Sequence, residues 1–102
     1  MKYVDDDCGI RKAMNLVGSK WKVMIIRQIR EEYKRYGELK RLIPGISEKM
    51  LIQELKELVS VGIVSKKAFP EIPPRVEYRL TEKGIKALPL LDSIVEFGEQ
   101  NF

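Results

Sequence analysis

The sequence predicts a mainly α-helical chain with one small β-hairpin, an α+β fold in a single domain. Apolar residues recur three and four apart through five stretches, whereas Val76-Glu77-Tyr78-Arg79-Leu80 alternates apolar and polar as a half-buried strand does. Between these stretches stand glycines, prolines and hydroxyl residues at places where chains turn or helices begin. The 102 residues are enough for one buried core and too few for two, so 1–102 is read as one domain.

The first helix is expected from about Ile10 to Val17, broken at Gly18. Ser19 then offers an oxygen to cap a second helix from about Lys20 to Glu32, whose Trp21, Met24, Ile25 and Ile29 form a face expected in the core. Tyr33 to Tyr36 reads as a short extended piece, and Gly37 starts a helix that continues to Ile43. Pro44-Gly45-Ile46 cannot continue it, Ser47 caps the next helix (about Glu48 to Val61), and Gly62 is placed for a left-handed terminus. On that helix Leu51, Ile52, Leu55, Leu58 and Val59 fall on one side, and Lys49, Gln53, Lys56 and Ser60 on the other. Strands at 63–68 and 76–80 make the hairpin, with a Phe69-to-Arg75 loop stiffened by Pro70, Pro73 and Pro74. Thr81 caps the last helix, Glu82 to about Phe97, which Pro89 should kink or restart. Its apolar positions Ile85, Leu88, Leu91, Ile94 and Val95 form a stripe longer than the domain itself needs.

Several function classes are disfavoured by composition. With 44% hydrophobic and 33% charged residues the chain should be soluble and globular. The longest apolar run, Val23-Met24-Ile25-Ile26, is far below the roughly 20 residues of a membrane span, and Asp5-Asp6-Asp7 is unlike the basic start of a signal peptide. No membrane partner and a cytoplasmic location are therefore expected. There is no histidine and a single cysteine, Cys8, which argues against an internal disulfide, a metal site and histidine-dependent catalysis. Glu54 and Glu57 read as helix-surface charges and no glycine-rich phosphate loop occurs, so neither an enzyme nor a cofactor is expected.

The net charge of +4 is unevenly spread. Lys20 to Arg41 holds eight basic and three acidic residues, Gly62 to Leu80 four and two, and Thr81 to Phe102 two and four. Two separate segments therefore suit phosphates, and the acidic, apolar end suits another task.

A helix, a tight turn, a second helix and a hairpin, in that order from Gly37 to Leu80, form the pattern of a winged helix-turn-helix. The stretches GSKW at 18–21, RYGELKRLIPGISEKML at 35–51 and FPEIPPRVEYRLTEKG at 69–84 resemble the HxlR-type regulators, relatives of the MarR class, over nearly the whole chain from Cys8 to about Gly98. Gly37 and Gly9 stand where that family often has Ser and Pro. The resemblance implies a dimeric transcription factor that binds double-stranded DNA.

In such a fold the second helix (helix-turn-helix about 38–61) enters the major groove and the wing (about 63–80) reaches the flanking backbone or minor groove. The candidate DNA-binding residues are Ser47, Lys49, Met50, Gln53 and Lys56 on that helix and Lys66, Lys67 and Arg75 on the wing. Gln53 can donate and accept at an adenine edge, the lysines reach guanine or phosphate, and Ser47 opens a helix N-terminus that suits a phosphate. The plain alternatives are a solvated helix face for the former and a salt bridge to Glu71 or Glu77 for Arg75. Leu88, Leu91, Ile94 and Val95, on the helix at about 82–98, are the candidate homodimer contacts. Some members of the resembled family sense oxidants or electrophiles through a cysteine where Cys8 stands, so Cys8 is a candidate redox sensor and otherwise a structural thiol. Arg11 and Lys12 bring positive charge within about one turn of it, opposed by Asp5 to Asp7. A small-molecule effector is left open, as is the competing reading of a winged-helix protein-interaction module without specific DNA binding.

Overall fold

The computed structural model describes residues 6–102; Asp5, counted above among the charges opposing Cys8, lies outside the described residues. The elements follow the order α1 (Asp6–Val17), α2 (Lys20–Ile29), β1 (Tyr33–Arg35), α3 (Tyr36–Leu42), α4 (Glu48–Ser60), β2 (Val64–Phe69), β3 (Arg75–Leu80) and α5 (Glu82–Asn101). The chain is mainly α with a β wing, as expected. The extended piece at Tyr33, however, is a third strand: β1 and β2 both pair antiparallel with β3, giving the order β1-β3-β2.

Three helices begin where a hydroxyl side chain accepts an otherwise orphaned backbone N–H: Ser19 from Lys22 (3.2 Å), Ser47 from Met50 (3.0 Å) and Thr81 from Gly84 (3.1 Å). α3 departs from expectation, beginning before Gly37, and its start is held by the Glu38 carboxylate accepting the Arg35 N–H at 2.9 Å. α2 stops at Ile29, not Glu32, because Arg30 turns to φ +49°. α4 closes with Gly62 at φ +79°, its N–H bonded to Val59 O (3.1 Å) and that of Ile63 to Leu58 O (3.0 Å), the paired bonds of a Schellman terminus. α5 runs through Pro89 without restarting, so the proline removes only the N–H that Ile85 O would have accepted.

The core lies between α2, α3, α4, the inner sheet face and α5. Ile25, Ile26, Ile29, Leu39, Leu51, Leu58 and Leu91 are fully buried, each stabilising the fold by roughly 1.5–3 kcal/mol relative to exposure. The buried face of α2 is Lys22, Val23, Ile25, Ile26 and Ile29, with Trp21 and Met24 half-buried at its margin rather than central. α5 docks by its first turns. A Cβ at Gly84 would overlap the Ile63 carbonyl oxygen, which also accepts the Thr81 N–H at 3.0 Å, while Thr81 Oγ1 donates to the Gly62 and Ile63 carbonyls.

The candidate dimer stripe needs correction here. Leu88 and Leu91 are 4% and 0% exposed and pack inside their own core, and Val95 is half-buried against it. Ile94 is exposed, joined on the outer side of α5 by Leu90 and Phe97, with Phe102 beyond. The domain's own core extends further along α5 than the periodicity alone suggests. Arg27 and Arg30 fasten this helix to α2 through Asp92: Arg27 Nε donates to Oδ1 (2.8 Å), and Arg30 donates to Oδ1 and Oδ2 (3.1 and 2.8 Å).

Candidate nucleic-acid interface

α4 follows α3 after the turn at 43–47 and presents Lys49, Gln53 and Lys56 to solvent, with Ser47 exposed at its N-terminus. Met50 is half-buried and packs against the core. The opposite face is not wholly apolar. Ile52 and Val59 are exposed, whereas Glu54 is 6% exposed. At about 100° per residue Glu54 lies about 60° from Leu51, closer than Val59 (about 80°) or Ile52 (about 100°), so the wheel held this signal.

The buried Glu54 is not the surface charge expected; it belongs to a network with α2. Lys22 Nζ lies 3.1 Å from Glu54 Oε2 and 2.8 Å from Glu57 Oε1, and Ser19 Oγ donates to Glu54 Oε2 at 2.8 Å. Gln53 Nε2 donates to the other oxygen of Glu57 at 3.3 Å. Burial works against the Lys22 charge, but hydrogen bonds to Glu57 and Glu54 outweigh it and raise its pKa. Glu57 is held below the usual carboxylate range, chiefly by its bond from Lys22 and then by that from Gln53.

On the wing, Lys66 stands opposite Tyr78 and Lys67 opposite Glu77, so the two exposed lysines point to opposite sheet faces. Arg75 makes the salt bridges that were the plain alternative to a DNA contact. It sits at the start of β3, 3.0 Å from Glu71 and 3.5 Å from Glu77, with its guanidinium 4.1 Å from the Phe69 ring centroid. The tip is instead Ile72, fully exposed among Pro70, Pro73 and Pro74. Arg79 reaches Glu77 at 3.5 Å and covers Tyr33, and Arg35 faces Glu77 in register. The outer sheet face therefore gathers Arg35, Lys67, Arg75 and Arg79 around one buried carboxylate, which emerges only once β1 is known to be a strand.

Cys8 is exposed on α1, and Arg11 is drawn to Asp7 at 2.9 Å. Among the described residues, no helix is long and apolar enough to cross a membrane.

An exposed polar face on the second helix of a helix-turn-helix, beside a basic hairpin, defines a winged-helix DNA-binding protein. The HxlR-like helix-turn-helix family matches residues 16–102. An HTH-type transcriptional regulator of Methanothermobacter thermautotrophicus is 41% identical over 97 residues, covering 93% of this chain and 74% of the relative. A MarR-family transcriptional regulator from Porphyromonas gingivalis W83 has a similar structure, with TM-score 0.88 and 54% identity across 100% of both chains. The redox regulator HypR in its oxidised form has TM-score 0.86 and 35% identity, covering 93% of this chain and 98% of that one. The chain belongs to the HxlR-like helix-turn-helix family and is a DNA-binding transcriptional regulator.

Proposed function

We propose that the protein acts as a homodimer on a pseudo-palindromic operator, each α4 lying in a major groove and each wing against the flanking backbone. The observation that carries this reading is the exposed row Lys49, Gln53 and Lys56, running from a helix N-terminus that Ser47 caps. On the wing, Lys67 shares a sheet face with Arg75 and rests 5.0 Å from the Phe69 ring, Lys66 offers its charge on the other face, and Arg75 contributes only by leaving Glu71 and Glu77. The dimer contact is the outer row of α5, Leu90, Ile94 and Phe97, with Val95 at its margin, all but Val95 exposed in one copy. Selection of duplexes from a random pool should enrich a twofold-symmetric sequence with half-sites about one helical turn apart, or a multiple. Gln53→Ala should cost about 1–3 kcal/mol at one base position. Equal affinity for selected and scrambled duplexes would leave the interaction-module reading in its place.

Likeness to the redox regulator HypR supports an oxidant response through Cys8. With one cysteine in the chain, oxidation can join Cys8 only to a thiol of another molecule, the two thiols giving up two electrons and two protons to the oxidant. Diamide should therefore change operator affinity in the wild type and not in Cys8→Ser; an equal response of the two removes Cys8 from the mechanism.

A further inference from the structure

The carboxylate of Glu57 is bonded at both oxygens, to Lys22 Nζ from α2 (2.8 Å) on Oε1 and to Gln53 Nε2 (3.3 Å) on Oε2. Lys22 is itself fixed, 9% exposed and shared with Glu54, so Glu57 is anchored from inside the protein while remaining partly in solvent. The order Lys22, Glu57, Gln53 thus runs from the core to the face that meets DNA.

We propose that Glu57 is a positioning residue for base recognition, holding the Gln53 carboxamide in one of its two orientations. This rests on the reading of α4 as the recognition helix. The chemistry is one-sided: flipping the amide would set Gln53 Oε1 against a carboxylate oxygen, two acceptors facing each other with no proton between them. Nε2 therefore stays on the Glu57 side, leaving Oε1 and the second N–H outward. That pair matches the N6 donor and N7 acceptor of adenine. An unanchored glutamine would sample several rotamers and both flips, at a cost in ordering when it binds. Fixing the amide in advance sharpens discrimination without adding a contact to DNA.

The experiment measures affinity for the selected operator and for its single-base variants with wild type, Gln53→Ala, Glu57→Ala, Glu57→Gln and the Gln53→Ala/Glu57→Ala double variant. Gln53→Ala should lose about 5- to 150-fold of preference at one A·T pair. Glu57→Ala should lose most of the same preference at the same pair, the double variant no more than Gln53→Ala, and Glu57→Gln, which keeps an acceptor oxygen, less than Glu57→Ala. Full preference in Glu57→Ala, or a uniform loss over every position, overturns the positioning role. A wild type with no preference at any position overturns instead the reading of α4 on which it rests.

Discussion

α4 and α5 share a helical repeat of apolar residues, yet they divide those residues differently between inside and outside. α4 buries Leu51, Leu55 and Leu58 together with a carboxylate, Glu54, and leaves Ile52 and Val59 in solvent. α5 buries Gly84, Leu88 and Leu91 in its first half, whereas further along Ile94 and Phe97 are exposed, Phe97 lying edge-on to Phe102 at 6.1 Å. Periodicity tells which residues share a face; it does not tell where a core ends. That boundary is set by the partner elements, and for both helices the decisive partner is α2, reached through Lys22 on one side and through Arg27 and Arg30 on the other.

The largest expected effect separates the two sides of α5. Leu91→Ala should cost about 2–5 kcal/mol in urea unfolding, the range for truncating a fully buried leucine. Leu90→Glu with Ile94→Glu should instead keep the far-UV circular dichroism spectrum and bring the light-scattering mass to that of one chain. A silent Leu91→Ala would erase the distinction between inner and outer rows.

On α4, Glu54→Ala should cost about 1–3 kcal/mol by the same unfolding measurement. The expected loss is below that of a stranded charge because Lys22 keeps Glu57 at 2.8 Å. Losing 3–5 kcal/mol would mean that Glu57 alone does not satisfy the ammonium.

The smallest effect concerns the clamp on α5. Hydrogen bonds from Arg30 and then Arg27 hold the Asp92 carboxyl far below the usual carboxylate range. A depressed native pKa stabilises the fold above the unfolded value, about 3.9, and that contribution is lost as pH falls through the native value. Wild type should therefore melt higher than Asp92→Asn by a constant margin from pH 5 to 8, narrowing as the pH drops below about 4. The three side chains are 36–39% exposed, so added salt should reduce the margin. A margin that is the same at pH 3 and pH 7 would show that the clamp's charge contributes nothing.

The local signals were the legible ones. Ser19, Ser47 and Thr81 cap where their chemistry indicates, Gly62 takes the left-handed turn, and Val76 to Leu80 is a strand, because each depends on neighbours within a few residues. Tyr33 to Arg35 is too short to announce itself and becomes a strand only by pairing with residues 77–79. Arg75 stayed open for a related reason. Sequence left it between a DNA contact and a salt bridge, and Glu71, Glu77 and Phe69 take up its guanidinium once the hairpin registers. The exposure of Gln53 was legible from the helical wheel, but its bond to Glu57 is anchored through Lys22, whose burial follows only from the packing of α2 against α4.

The junction at Thr81 and Gly84 sets a rule for transplanting parts. The Thr81 hydroxyl bonds the carbonyls that follow α4, and Gly84 leaves room for the Ile63 carbonyl, so the two residues work as one connector. A chimera that grafts a foreign C-terminal helix onto this domain must carry threonine and glycine three residues apart, or the graft will be pushed off its seat by a single methyl group. Beyond that connector, the outer surface of the helix can be exchanged without touching the joint, which makes the C-terminal half of α5 a replaceable module.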